Sequence, residues 1–265
     1  MDLGLTGRVA LVTAASRGLG LASAKALAAE DASIVICARG PQQLEAARRE
    51  AQGVAASGAR VEAIALDVAA AEGPKQLVGM VHERFGQLDV LVTNVGGPPP
   101  GGFESVGDAE WERAFQLTLM SVVRLVREAL PLLRASGQGR IVNMVSTSVK
   151  QPIDNLLLSN ALRSAVIGLA KTLSRELGGS AITVNNILPG IILTDRQREL
   201  RGAEAARRGV SFEQAIAEAG RGVPLGRIGK PEEVAALVAF LASAPAAYIT
   251  GTSIQVDGGL VVGMM

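Results

Sequence analysis

Short β-branched and apolar runs alternate with longer stretches rich in Ala, Leu and charge along almost the whole 265-residue chain. No other feature limits the fold so strongly. Residues 9–12, 34–38, 61–66, 90–93, 140–145, 182–187 and 253–256 read as strands. Helical stretches fall at residues 19–30, 41–56, 74–85, 108–133, 155–177 and 231–241. Several strands are near-continuous apolar runs, as expected when helices cover both faces of a parallel sheet. The pattern predicts an α/β fold, a doubly wound parallel sheet of about seven strands with ligands beyond the carboxyl ends. No repeat or linker divides the chain, so residues 1–265 read as a single domain.

Composition narrows the functional classes. Hydrophobic residues make up 48% and charged residues 19%, which excludes a disordered chain. Aromatics are only 3%, so the core must be built from Ala, Val, Leu and Ile. Twenty-six basic residues against 25 acidic ones give no global attraction for nucleic acid or an anionic membrane, and neither partner is expected. A lone Cys37 and a lone His82 exclude an intramolecular disulfide, a Cys-rich or His-based metal centre and a Ser-His-Asp triad. No metal is expected. Residues 1–8 lack the pattern of a secretory signal. The longest greasy stretch, residues 234–249, contains Pro245 and is shorter than the roughly 18 residues of a membrane span. A soluble cytoplasmic protein is the expectation.

Two segments break the rhythm. Residues 96–102, Gly-Gly-Pro-Pro-Pro-Gly-Gly, forbid an immediate helix. Residues 194–223 hold six arginines against five acids, and 212–219 look helical. A long insertion at the carboxyl edge of a sheet reads as a substrate lid. A solvated helical hairpin or a subunit contact is the alternative.

The first strand runs into Thr13-Ala14-Ala15-Ser16-Arg17-Gly18-Leu19-Gly20 and then a helix. Gly18 and Gly20 allow a tight turn and close approach of a ligand. The helix behind them offers unpaired N–H groups and a positive dipole end to phosphate. In this position they point to a Rossmann-type dinucleotide site rather than a turn needed only for packing. An NAD site wants a carboxylate about 20 residues further on, for the ribose 2′-hydroxyl. This chain has Ile36-Cys37-Ala38-Arg39-Gly40 instead. Arg39 and Arg17 suit a 2′-phosphate, so NADP(H) is favoured over NAD(H).

With these residues in view, the chain resembles the short-chain dehydrogenase/reductase family over nearly its whole length. Residues 13–20 match the family's T-G-x-x-x-G-x-G, except that Ala14 replaces the first glycine. Asp67, followed by Val68, resembles the adenine-contacting aspartate, and Asn94-Val95-Gly96 resembles the N-A-G motif. Ser146 stands where the family carries its catalytic serine. Pro189-Gly190 matches the P-G motif, with Ile192 and Thr194 where the family contacts nicotinamide and phosphate. Residues 248–259 resemble the family's C-terminal run. The resemblance implies that Thr13, Ser16, Arg17, Gly18, Leu19, Gly20, Arg39, Asp67, Val68, Asn94, Gly96, Pro189, Gly190, Ile192 and Thr194 bind the cofactor. It also implies a small-molecule substrate and a homodimer or homotetramer built on the two long helices.

The active-site motif departs from the family. The Y-x-x-x-K register falls on Ser159-Asn160-Ala161-Leu162-Arg163, and Thr118 replaces the supporting asparagine. Serine is a far weaker acid than tyrosine, and arginine keeps its proton, so the family's relay is altered. Arg163 can still stabilise a developing alkoxide, with Ser146 and Ser159 as hydrogen-bond donors. Lys150 and Asp154 are further candidates for proton chemistry, against a bland reading as solvated loop charges. Tyr248 belongs to a motif that is usually structural. His82 reads as surface, Cys37 as inert core, and Trp111 with Phe115 as packing.

Three functions follow in order. The first is an NADP(H)-dependent oxidoreductase on a carbonyl or alcohol, with Ser146, Ser159 and Arg163 framing the oxygen. The second is a dinucleotide sensor or inactive partner subunit without turnover. The third is non-redox chemistry such as dehalogenation; dehalogenases of this scaffold carry the arginine but keep the tyrosine and lose the glycine cradle. Residues 156–158 and the apolar residues after Pro189 suggest a partly greasy pocket, and core packing explains them equally well.

Overall fold

The computed structural model describes residues 1–56 and 58–263. Its strands are β1 (Val9–Thr13), β2 (Ser33–Ala38), β3 (Val61–Ala65), β4 (Val90–Thr93), β5 (Arg140–Met144), β6 (Thr183–Pro189) and β7 (Ser253–Val256). The helices are α1 (Gly18–Ala29), α2 (Pro41–Gly53), α3 (Gly73–Phe85), α4 (Asp108–Phe115), α5 (Ser121–Ala135), α6 (Leu157–Glu176), α7 (Asp195–Arg208), α8 (Phe212–Arg221) and α9 (Pro231–Ala242). All seven strands pair in parallel in the order β3-β2-β1-β4-β5-β6-β7. The chain winds outward one way from β1 and then the other way from β4. That is the doubly wound Rossmann-type fold expected from the alternation.

Strand alternation divides the core. Ala10, Val12, Ile34, Ile36, Val90 and Val92 face α1, α2 and α9. Val9, Leu11, Val35, Cys37, Leu91 and Ile141 face α3, α5 and α6. Successive residues of a strand point to opposite faces, so a strand with no polar face can be buried on both sides. This is why β1 and β4 are buried at every position, while β5 and β6 are buried throughout with their asparagines satisfied by hydrogen bonds.

Local chemistry sets the helix ends. Pro41, Pro74 and Pro231 stand in the first turns of α2, α3 and α9, where a missing N–H costs nothing. Gly86 and Gly209 close α3 and α7 in the left-handed conformation.

Three expectations need correction. The helix read as 108–133 is interrupted by a π turn over Gln116–Met120, between α4 and α5. Such a turn has no periodicity signature in the sequence, and it places Thr118 on the buried side. The helix read as starting at 155 starts at Leu157, because Asn155 takes a left-handed φ of 60°. The insertion holds two helices rather than one, since α7 is so polar that its apolar stripe is faint in the sequence.

Leu91 on central β4 is fully buried between β1 and β5. Leu91→Ala should lower stability by about 2–5 kcal/mol. Urea unfolding should show it as a shifted midpoint with an unchanged slope.

Candidate active site

The parallel strands bring every βα loop to one edge, and the strand order reverses there between β1 and β4. The two strand ends are locked together. Thr13 Oγ1 donates to Asn94 O at 2.7 Å and accepts from Asn94 N at 2.9 Å, while Asn94 Nδ2 donates to Ala14 O at 3.2 Å. Thr13 is therefore fully buried and supports the loop from behind. Gly20 is needed for packing, because a Cβ there would lie 2.5 Å from Ala14 O and 2.9 Å from Asn94 Nδ2.

The glycine loop has the form of an anion cradle. Arg17 precedes α1 in an extended conformation and offers no side-chain cap, and no backbone acceptor among the described residues meets the amides of Gly18, Leu19 or Gly20. Facing them is the start of α7, capped by Thr194, whose Oγ1 accepts from Gln197 N at 3.4 Å. A Cβ on Gly18 would lie 3.5 Å from Thr194 Cγ2, so two helix N-termini converge across a narrow gap. Converging positive dipole ends suit a diphosphate.

The remaining cofactor candidates lie around this cradle. Ser16, Arg17, Gly18 and Thr194 line a pocket of about 580 Å³. Leu19, Pro189, Gly190, Ile192 and Thr194 line a larger cleft of about 860 Å³. Gly96 is exposed, with open space where a side chain would stand. Arg39 lies just past β2, exposed and in no ion pair among the described residues. Arg17 is instead engaged by Glu199 of α7 at 2.9 Å. Asp67 is exposed at the end of β3 and accepts from Ala69 N at 2.9 Å, with Val68 buried behind it.

The three catalytic candidates share the larger cleft. Ser146, just beyond β5, accepts from Ser148 N at 3.1 Å. Ser159 and Arg163 stand one turn apart on α6, at 8% and 9% exposure. The Arg163 guanidinium donates through Nη1 to Met144 O at 3.1 Å and Val145 O at 2.8 Å. Burial, and then Arg196, pull its pKa down to about 10, so it remains cationic at neutral pH. The Thr118 hydroxyl has no partner and borders, with Arg163, an internal cavity of about 10 Å³, room for one water. Beneath the site, Thr93 Oγ1 donates to Asn143 Oδ1 at 2.7 Å and Asn143 Nδ2 donates to Asn186 Oδ1 at 2.9 Å. This buried ladder ties β4, β5 and β6 together.

Other candidates separate clearly. Asp154 lines the cleft, whereas Lys150 is exposed outside it. Tyr248 and His82 are exposed away from the cleft. Burial pushes the Cys37 thiol up to about 12, leaving it an unreactive core residue. Trp111 and Phe115 pack against Ala114, Leu158 and Leu162. The sequence did not single out Arg196, Gln197, Leu200 and Arg201 of α7, or Leu260 and Val261 of the tail. The arginine-rich composition of 194–223 was the available signal, but not which helix face meets the cleft.

Residues 13–261 match the family model described as Enoyl-(Acyl carrier protein) reductase. The chain belongs to the short-chain dehydrogenase/reductase family. It is thereby an enzyme of the dehydrogenase/reductase class. It is 35% identical over 251 residues to the short-chain reductase protein NovJ of Streptomyces niveus, covering 95% of this chain and 93% of that one. L-sorbose reductase from Gluconobacter frateurii, complexed with NADPH and L-sorbose, is 34% identical, with a TM-score of 0.96 and full coverage of both chains. An NADPH-bound short-chain oxidoreductase from Pseudomonas aeruginosa PAO1, described as containing an atypical catalytic center, is 32% identical. Its TM-score is 0.90, with 98% of this chain and 99% of that one covered.

Against the family's glycine, Ala14 holds a left-handed φ of 47°. An L residue there is strained by about 1–2 kcal/mol, so Ala14→Gly should stabilise the protein by roughly 1 kcal/mol. Chemical denaturation decides: a lower midpoint would mean that the Ala14 methyl contributes more packing than strain.

Proposed function

We propose that the protein is an NADP(H)-dependent reductase that interconverts a carbonyl and an alcohol in the cleft bordered by α6 and α7. The observation that carries this reading is the pair of helix N-termini converging on the glycine loop, with Arg39 exposed at the end of β2. The amides of residues 18–20 and Thr194 would hold the diphosphate. Arg39 would hold the 2′-phosphate, Asp67 and Val68 the adenine, Asn94 and Gly96 the ribose side, and Pro189, Gly190 and Ile192 the nicotinamide. The likeness to solved NADPH complexes supports the same choice of nucleotide.

When bound, the reduced nicotinamide supplies a hydride. The chain must then place the carbonyl and manage the charge that develops on its oxygen. Ser146 and Ser159 donate hydrogen bonds to that oxygen, and Arg163 holds a fixed positive charge beside it. Because Arg163 is pinned by two carbonyls, little reorganisation is needed as the charge grows. Neither serine can hold a stable anion near neutrality, so the Ser159 hydroxyl passes on a proton drawn from water at the open side of the cleft. Lacking a tuned general acid costs about 10²–10⁴ in rate, which makes this a slow reductase.

Segment 194–223 acts as the substrate lid in this reading. α7 supplies one wall of the cleft and is fastened by two contacts, Arg17–Glu199 at 2.9 Å and Arg196 Nη1 to Gly97 O at 3.5 Å. Both are exposed and therefore weak enough to release for substrate exchange. Half-buried Leu117, Leu130, Leu169 and Leu173 on and beside the long helices support self-association along α5 and α6.

Fluorescence titration should show NADPH binding at least tenfold more tightly than NADH, and Arg39→Ala should erase most of the difference. Equal affinities, or no binding of either nucleotide, would sink the assignment. The double variant Ser159→Tyr with Arg163→Lys should raise kcat on any accepted ketone by about tenfold or more, since it restores a tuned acid. Its pH profile should gain a limb absent from the natural enzyme. Unchanged turnover would mean that the site is not a weakened form of the family's relay, and NADPH binding with no ketone reduced would favour nucleotide binding without redox turnover.

A further inference from the structure

Charge in the cleft is not balanced by the chain itself. Arg163, Arg196 and Arg201 line it, and Asp154, exposed, is the one carboxylate among the described lining residues. Arg201 is neutralised by Glu204 at 2.6 Å. Arg163 and Arg196 have no carboxylate partner among the described residues; their polar contacts are backbone carbonyls, Met144 O, Val145 O and Gly97 O. The two guanidinium groups are close enough for Arg196 to disfavour the charge of Arg163. Arg163 is buried, where an unpaired charge normally has a counter-anion nearby, whereas Arg196 is exposed and offers that anion a charge-assisted partner at the cleft mouth.

We infer that the substrate brings that anion: it is an oxo acid, a 2- or 3-oxo carboxylate whose carboxylate pairs with Arg196 while its carbonyl oxygen lies against Arg163 and the two serines. This deepens the reductase reading and rests on it. A guanidinium presents parallel N–H donors that fit a carboxylate bidentately, and Arg196 has only one long contact to give up. Ile153, Leu156, Leu200 and Val261 add apolar surface to the same cleft and accommodate an alkyl substituent. In the reduction the hydride's electron pair forms a C–H bond at the carbonyl carbon. The C=O π pair moves to oxygen, which takes one proton from water, giving a hydroxy acid and NADP⁺ with the carboxylate unchanged. A cofactor phosphate is the other possible partner of Arg196, and the test separates the two.

NADPH consumption is measured with 2-oxohexanoate and 3-oxohexanoate, each against its methyl ester. At least one acid should exceed its ester by about tenfold or more in kcat/KM, the scale of a charge-assisted pair. Arg196→Gln should bring the acid-to-ester ratio of kcat/KM to about one with the NADPH dissociation constant unmoved, loss of the Gly97 contact acting on acid and ester alike, and Arg196→Lys should restore part of the ratio. Calorimetry with 2-hydroxyhexanoate and 3-hydroxyhexanoate on the NADP⁺-loaded protein reads the same pairing without turnover. Should no ketone or ester be reduced, heat from a hydroxy acid that vanishes in Arg196→Gln would keep the anion site while removing the reductase reading. Equal handling of acids and esters overturns the inference, as does hydroxy-acid binding that survives Arg196→Gln. Loss of NADPH affinity in Arg196→Gln would also overturn it, by assigning Arg196 to the cofactor.

Discussion

Parallel pairing of all seven strands is the constraint on which the rest depends. It sends every carboxyl end to one edge and requires apolar residues on both faces of each central strand. Helices must then cover both faces, which places the N-termini of α1 and α7 beside the strand ends. The hydrogen bonds between Thr13 and Asn94 hold this edge rigid where the strand order reverses. A nucleotide site and a substrate cleft can then share one boundary, Thr194, which lines both.

In the proposed reaction on this scaffold, fixed hydrogen-bond donors and a permanent charge would do the work of proton-transfer groups. Ser159 cannot act as a tuned acid, and Arg163, even with its pKa drawn down to about 10, does not give up its proton near neutrality. What remains is electrostatic placement, the larger contribution to many enzymatic accelerations. The π turn that carries Thr118 brings its hydroxyl, which has no partner among the described residues, to the cavity beside Arg163.

Much of the fold was legible because its signals are local. Strand runs such as 34–38 and helix starts such as Pro41 report on themselves, and Gly18 with Gly20 marks the first turn without reference to distant residues. The π turn was not legible, because one inserted residue leaves helix propensity unchanged. Nor was α7, whose positions are nearly all polar and whose contact with the cleft is made by side chains rather than by an apolar stripe. Arg17 illustrates the limit best. From sequence it pairs with Arg39 at a phosphate; in the structure Glu199, 182 residues away, engages it.

The sequence by itself determined the sheet, its covering helices, the glycine turn between β1 and α1 and the placing of Ser159 and Arg163 one turn apart on one helix, because periodicity, glycine placement and motif spacing are short-range properties. Only the tertiary structure decided which charges meet. Arg163 is held by two carbonyls, Arg17 is held by Glu199, and Arg196 faces the cleft without an acid partner among the described residues. Those outcomes depend on elements far apart in the chain being packed within a few ångströms, where electrostatic pairing is set by distance in space rather than in sequence.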